Sequence, residues 1–349
     1  MARVTVRTLA DALGVSVSTV SNAYNRPDQL SAGLRARILS KADELGYAGP
    51  DAAARALRSG RAEAVGVLLT EQLSYAFSDP YAIGFLSGLS EVVEEHHISI
   101  VLMPLSLHGD ELDVTAVRHA NIDALTTLGL AENHPAIMVA KARGIRLVTA
   151  DVTTDPASSW VAIDDAAGGR LLGEHLKSLG HRNVAVVVDT NRPAGSAVAE
   201  LSEEHIAFVD YASRLRGIRD LLGSGVRLVS GGHNAIASGR SAGSWLLAMP
   251  NRPTAIVCLS DVLALGVLEV ARAAGLDVPG QVSVCGFDDI PAAEPAGLTT
   301  VRQPIRERGR RVGELLLNPD ASEQQVLLPI QLIARSSTGP ALRQAEGGA

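Results

Sequence analysis

The sequence predicts an α/β protein in which an all-helical head and a short intervening segment precede two doubly wound parallel-sheet lobes. Three observations carry this. Up to about residue 60 the apolar residues recur only at helical spacing, whereas from residue 64 strand-length apolar runs alternate with helical stretches. Those runs form two consecutive series, as two similar lobes require. The composition is 46% hydrophobic but only 3% aromatic. Rich in Ala, Val, Leu and Gly, it suits strands buried on both faces. The 349 residues leave room for two or three domains.

The head is read from TVRTLADALGVSVSTVSNAYNRPDQLS. Val6, Leu9, Ala10 and Leu13 recur at i, i+3, i+4 and i+7, one face of a helix. Gly14 stops that helix, and Ser16 stands where a cap opens the next, whose buried side is Val20, Ala23 and Tyr24. Ala10, Gly14 and Val20 keep the spacing of a helix-turn-helix, with a small residue where the helices cross. A plain helical hairpin has the same periodicity, so these residues alone leave both DNA reading and simple packing open. A third helix over 32–45, capped by Ser31, sets Leu34, Ile38, Ala42 and Leu45 on one face and ends at Gly46-Tyr47. AGPDAAARALRSGR (48–61) follows. Its alanine-rich part is too short for a stable isolated helix and becomes helical only when packed on something else.

Charge separates the parts. The whole chain carries −7, but residues 1–61 hold nine Lys/Arg against five Asp/Glu, a net of +4, and the remainder holds 22 against 33, a net of −11. A basic head on an acidic body points the head at phosphates and keeps the body off them.

In the body, AVGVLL (64–69), ISIVLMPL (98–105), ALTTLGL (124–130) and IRLVTAD (145–151) read as the first series of strands. WVAI (160–163), VAVVV (184–188), RLVSG (227–231), AIVCLS (255–260) and SVCGF (283–287) read as the second. Such sheets bind ligands beyond the carboxyl ends of their strands. That singles out Thr70, Asp151, Asp164, Asp165, Ser260, Asp261, Asp288 and Asp289. Cys258 and Cys285 lie inside apolar runs and are expected to be buried reduced thiols. No apolar run reaches membrane-spanning length and no signal-peptide pattern opens the chain, so a cytoplasmic, nucleoid-associated protein is expected.

LADALGVSVSTVSNAYN, ARALRSGR, GEHLKSLGHRNVAVV, PTAIVCLSDVLALGVL and VPGQVSVCGFDDIPAAEPAGLTTVRQP together resemble the LacI/GalR family of bacterial transcription factors, nearly end to end. The resemblance implies a helix-turn-helix domain at 1–48 and a hinge helix at 49–62, followed by a sensor like type I periplasmic binding proteins. The first lobe would comprise 63–161 and 291–320, and the second 162–290 and 321–340. The tail 341–349 would be disordered; it has no heptads, so a helical tetramerisation tail is not expected. It further implies a homodimer on a near-palindromic operator, most simply as a repressor, with a small molecule, a carbohydrate or its derivative, as effector. No cofactor, metal or catalytic residue is expected.

By the same resemblance Val17, Ser18 and Asn22 take base-reading positions, while Thr5, Thr19, Ser21 and Asn25 fall where the family contacts DNA, chiefly its phosphates. Many relatives have Arg at the position of Asn22. Arginine favours guanine, whereas asparagine pairs with adenine, so the usual half-site does not transfer. The alternative is that Asn22 caps or faces water. In the hinge, Leu57 matches a wedge that enters the minor groove, Ala54 allows close approach, and Arg58 matches a basic contact. Leu57 packing on the sensor is the bland reading. Ala48-Gly49 stand before Pro50 where relatives have one residue.

Effector positions carried over are Thr70, Tyr81, Asp151, Arg214, Asn234, Ser260 and Asp288. Carboxylates and a guanidinium suit a polyhydroxyl ligand through directed, charge-assisted hydrogen bonds. Asp151 and Asp288 could instead be strand-end caps. Asn234 stands where relatives often carry an aromatic, which removes that stacking platform, and the stretch 189–210 is longer than typical. A nucleobase or nucleoside effector is the alternative within the family, and a solute-binding protein without DNA function the alternative outside it. Gly239-Arg240-Ser241-Ala242-Gly243 fits G-x-S-x-G, but no buried strand precedes it and every histidine lies before Ser241, which argues against a hydrolase.

Overall fold

The computed structural model describes residues 4–49, 60–70, 73–108, 111–190, 192–194, 196–206 and 208–342. The expected hinge helix with Ala54, Leu57 and Arg58 lies outside the described residues, as does 343–349 of the tail. The chain divides into one unit at Met1–Glu63 and a larger one at Ala64–Ala349.

The smaller unit contains α1 (Val6–Leu13), α2 (Val17–Asn25) and α3 (Ala32–Leu45). Each opens on a hydroxyl cap: Thr5 accepts from the Thr8 N–H at 3.2 Å, Ser16 from Thr19 at 3.0 Å and Ser31 from Leu34 at 3.3 Å. Such caps contribute about 1 kcal/mol each. Gly14, at φ 63°, closes α1 by donating to the carbonyls of Ala10 and Asp11. Leu9, Ala10, Val20, Ala23, Ile38 and Ala42 form the core. Tyr24 is half-buried and meets Tyr47 edge-on, ring centroids 5.9 Å apart.

The larger unit has two lobes. The first holds a sheet of β1 (Ala64–Leu69), β2 (Ser99–Pro104), β5 (Ala124–Thr127), β6 (Arg146–Thr149), β7 (Ser159–Ile163) and β14 (Gln325–Leu328). Its order is β14-β7-β6-β5-β1-β2, parallel throughout. The second holds β8 (Val184–Val187), β9 (Ala199–Glu200), β10 (Arg227–Ser230), β11 (Ala255–Cys258) and β12 (Ser283–Cys285). These run in the order β12-β11-β8-β10-β9, with β9 the antiparallel edge. Besides β9 and β14, four short strands escaped the sequence reading: a hairpin of β3 (Ser106–His108) and β4 (Glu111–Asp113), and the pair β13 (Thr300–Arg302) with β15 (Gln331–Ile333).

Sheet membership corrects the expected lobe boundaries. The chain leaves the first lobe after Ile163, close to the expected crossing, but WVAI, expected to open the second series of strands, is β7 of the first sheet, paired with β6 and β14. It returns between β13 and the helix Ile305–Leu317, about a dozen residues later than expected, and crosses again after Leu328 rather than near 320. Segment 291–302 stays with the second lobe because β13 pairs with β15 and Asp288 bridges to Arg302. Segment 325–328 belongs to the first lobe because β14 pairs with β7. Pro329, which cannot donate to a ladder, marks the break.

Helices α4 (Pro80–Glu95) and α12 (Ile305–Leu317) pack together in the first lobe. In the second lobe α7 (Asp165–Ser178) packs on α8 (Val209–Leu222), and α9 (Ile236–Leu247) on α10 (Asp261–Ala273). The G-x-S-x-G stretch lies within α9 and serves that packing: a Cβ on Gly239 would overlap the carbonyl oxygen of Leu263. Cys258 and Cys285 are buried in the second sheet, and burial pushes both thiols up. Among the described residues no helix is long and apolar enough to cross a membrane.

Candidate functional site

In the head, α2 presents the residues expected to meet DNA. Val17 is 42% exposed although apolar, and Ser18 and Asn25 are exposed beside it, with Thr19, Ser21 and Asn22 half-buried. The hydroxyls of Ser16 and Ser18 lie 2.7 Å apart, and Asn25 Nδ2 donates to Ser21 Oγ at 3.1 Å. Asn22 Nδ2 donates to Gln29 Oε1 at 3.2 Å in an exposed hydrogen bond. Gln29, which sequence reasoning passed over, thereby orients the amide of Asn22. Thr5 is exposed, and its hydroxyl caps α1.

In the body, one cleft between the lobes gathers six of the seven expected effector positions: Thr70, Tyr81, Asp151, Arg214, Asn234 and Asp288. They follow from the fold, since Thr70, Asp151 and Asp288 stand just beyond the carboxyl ends of β1, β6 and β12, and Asn234 in the loop after β10. Ser260 is a correction. Its hydroxyl accepts from the Leu263 N–H at 3.3 Å as the cap of α10 and donates to Asn234 Oδ1 at 2.5 Å. It is buried behind the lining and positions Asn234 instead.

Arg214 is held on all sides. Its Nε donates to Asp165 Oδ1 and its Nη1 to the Leu259 carbonyl, both at 2.8 Å. Asp210 lies at 3.4 Å and Asp288 at 4.0 Å. The guanidinium carbon sits 3.8 Å from the Phe287 ring centroid and 5.1 Å from that of Tyr211. Burial works against its charge, but Asp165, Asp210 and Asp288 more than offset this and push its pKa up. Its placement depends on glycine: α7 and α8 approach so closely that a Cβ on Gly169 would overlap the Arg214 carbonyl oxygen.

A second guanidinium, Arg308 on α12, enters from the first lobe. Its Nη1 donates to the Tyr81 hydroxyl at 2.7 Å and to Gln303 Oε1 at 3.2 Å, and its Nε to the Val161 carbonyl at 3.2 Å. Gln303 Nε2 donates onward to Asp288 Oδ1 at 2.6 Å. A polar chain therefore crosses the cleft floor from Tyr81 to Asp288. A second bridge joins the lobes where Asn234 Nδ2 donates to the Tyr75 hydroxyl at 2.6 Å.

Burial, with Asp210 next, pushes Asp151 up to about 7, although the Gly129 N–H donates to its Oδ2 at 2.6 Å. Burial likewise holds the Asp288 carboxyl well above its usual range, against the pull of Arg214. Asp288 and Asp289 adopt φ of 120° and 57°, left-handed conformations fixed by their surroundings. Asp289 is clamped by Arg302 at 2.6 Å and Arg335 at 2.7 Å.

Several lining residues went unread. Asp210 stands four residues before Arg214 on the same helical face, a spacing that could have revealed it. Arg308 lies on the buried stripe of α12 with Val312 and Leu315, and an arginine there is itself a signal. Aromatic rings also line the cleft: Tyr75 from the first lobe and Phe208 and Tyr211 from the second. Losing a ring at Asn234 therefore does not leave the cleft without aromatic surface. The long stretch 189–210 supplies β9 and delivers Phe208 and Asp210 to the rim.

Residues 174–338 match the model of a periplasmic binding protein-like domain. The chain is 37% identical to an HTH-type transcriptional regulator of Mycolicibacterium smegmatis, over 97% of each sequence. Its structure is similar to that of the lac repressor dimer bound to operator and an anti-inducer, with TM-score 0.77 and 25% identity over 96% of this chain and 99% of that one. It is also similar to a complex of the transcriptional regulator CelR with cellobiose, with TM-score 0.63 and 25% identity over 96% and 100%.

Proposed function

The chain belongs to the LacI/GalR family of HTH-type transcriptional regulators, and from that premise we propose that it is a repressor controlled by a small polyhydroxyl effector. The head, as a homodimer, reads a near-palindromic operator through Val17, Ser18 and Asn22, with Thr5, Thr19, Ser21 and Asn25 contacting the DNA around them. On this reading Leu57 of the hinge wedges into the minor groove, Ala54 allows the close approach, and Arg58 makes a basic contact to the groove or a phosphate. A sugar or sugar derivative occupies the cleft and sets operator affinity. The related structures that hold operator or cellobiose support this reading by analogy.

The observation that carries it is the cleft's construction from both lobes. The polar chain Tyr81–Arg308–Gln303–Asp288 and the bridge Tyr75–Asn234 both span it. A ligand touching both sides binds the open and closed arrangements with different free energies, which is the requirement for shifting between them. Operator and effector are then linked reciprocally.

The test is selection of genomic fragments bound by the full chain, followed by a screen of sugars for release or enhancement. Binding that weakens linearly in log[salt], and that a sugar alters, is the expected result. Failure of the full chain to bind any promoter fragment in a salt-sensitive way, while residues 62–349 bind a ligand, overturns it.

A further inference from the structure

We infer that the cleft selects a polyol that carries no anionic group, so that phosphate esters and acid derivatives of the same polyol are rejected. This rests on the effector reading above and names the ligand class for that site.

The first ground is the charge balance. Among the described residues the lining includes five aspartates, at 79, 151, 189, 210 and 288, against two arginines, at 214 and 308. The second ground is that protein oxygens already hold both cations. Asp165 and the Leu259 carbonyl hold Arg214, while Tyr81, Gln303 and the Val161 carbonyl hold Arg308. An anion approaching Arg214 would have to compete with these partners and with Asp210 at 3.4 Å, and would meet carboxylates elsewhere in the lining. Like charges brought together at a recognition surface are strongly discriminated against.

The third ground is what remains open. Asp210 lines the cleft, and its Oδ1 is buried without a hydrogen-bond partner. Asp151 Oδ2 accepts from one backbone N–H. Both are acceptors: Asp210 Oδ1 lacks a donor, and Asp151 Oδ2 has one, with lone-pair capacity for another. Hydroxyl groups supply donors without adding charge, while Leu69, Phe85 and Leu128 offer apolar surface to the C–H faces of a polyol. The raised pKa values of Asp151 and Asp288 agree: buried negative charge in this cleft is already costly, and a hydroxyl donor relieves it where an anion compounds it.

The experiment measures binding of the full chain to matched sets of ligands by calorimetry. Aldoses, alditols and disaccharides are each compared with their phosphate ester and their uronic or aldonic acid. The expected result is that at least one neutral member binds and its anionic counterparts bind roughly a hundredfold or more weakly. Asp210→Ala should lose the neutral ligand while melting as a folded protein. An anionic member that binds within tenfold of its parent, or more tightly, overturns the inference while leaving an effector in the cleft. Neutral binding that survives in both Asp210→Ala and Phe208→Ala also overturns it, because the ligand then sits elsewhere. If no member of any set binds or alters operator affinity, the effector reading itself fails, and this inference with it.

Discussion

Replacing Asp151 by asparagine tests the charge balance of the cleft. The residue is 6% exposed and its carboxylate accepts a hydrogen bond from the Gly129 N–H at 2.6 Å. Burial and then Asp210 raise it from the ordinary 3.8 to about 7, with Arg308 offsetting only part. That displacement is equivalent to roughly 4 kcal/mol of folded-state cost once the group is ionised. Because the folded-state value is the raised one, the stabilisation from the neutral form is fully present below about 3.8 and is lost as pH rises through about 7. Asparagine removes the charge and keeps a carbonyl for Gly129, but its amide needs a partner, which costs about 1–3 kcal/mol if none is found. At pH ~8.5 the variant should therefore be more stable by about 1–3 kcal/mol, a rise in Tm of roughly 2–4 °C for each kcal/mol in a domain of this size. At pH ~5 the wild-type carboxyl is already largely neutral, and the gain should vanish. Thermal unfolding of the full chain at both pH values is the assay. Destabilisation at the higher pH, or the same shift at both, refutes the reasoning. At pH ~8.5, where the carboxyl is ionised, the same substitution should lower polyol affinity roughly tenfold, since a charged acceptor is lost.

Asn22→Arg should move base preference from adenine toward guanine at one operator position by about 1–3 kcal/mol, read by selection from randomised sites. An unchanged preference there overturns the base contact. Leu57→Ala should weaken operator affinity about tenfold or more, as loss of a wedge that kinks the duplex implies, with effector affinity nearly intact; unaltered operator affinity in a gel-shift titration removes the wedge. Tyr75→Phe deletes the hydroxyl that accepts from Asn234 at 2.6 Å. It should cost about 1 kcal/mol, near fivefold in effector affinity by calorimetry, and no change means the bridge does not contribute to the bound state.

The sheets were legible because central parallel strands are covered on both faces and read as unbroken apolar runs, as AVGVLL does. The short edge elements were not. β9 spans only Ala199–Glu200 and has neither length nor alternation to announce it. The crossovers were misplaced for a related reason: VLLPIQLI reads as one apolar run, yet its halves pair in different lobes on either side of Pro329. In the cleft, strand-end positions such as Thr70, Asp151 and Asp288 followed from topology. Ser260 occupies such a position too, but a helix begins immediately after it, and the hydroxyl goes to capping. Arg308 and Asp210 sit within helices, where strand-end logic does not look. The arginine on a buried helical face marks the first, and the four-residue spacing to Arg214 marks the second.

If an effector fills the cleft as proposed, Gln303 is the residue through which its occupancy would act on the fold. It stands at the second crossover, between β13 and α12, is 4% exposed, and ties Asp288 of one lobe to Arg308 of the other. Asp288 is itself held at φ 120° with its N–H donating to the Val301 carbonyl at 2.9 Å. A backbone conformation of that kind costs on the order of 1–3 kcal/mol and persists only while its surroundings enforce it. A ligand that engages Asp288 therefore competes with, or reinforces, the bond that passes through the crossing strand. Moving a switch from 1:99 to 99:1 takes about 5.5 kcal/mol of differential affinity. At about 1 kcal/mol net for each hydrogen bond, that is four to six contacts made in one lobe arrangement and not in the other. A molecule confined to Asp151 and Thr70 cannot supply them. One that reaches from Tyr81 and Arg308 across to Asp288 and Asp210 can, so for a switch of that size the proposed polyol effector would have to be long enough, and hydroxylated along enough of its length, to span the polar chain on the cleft floor.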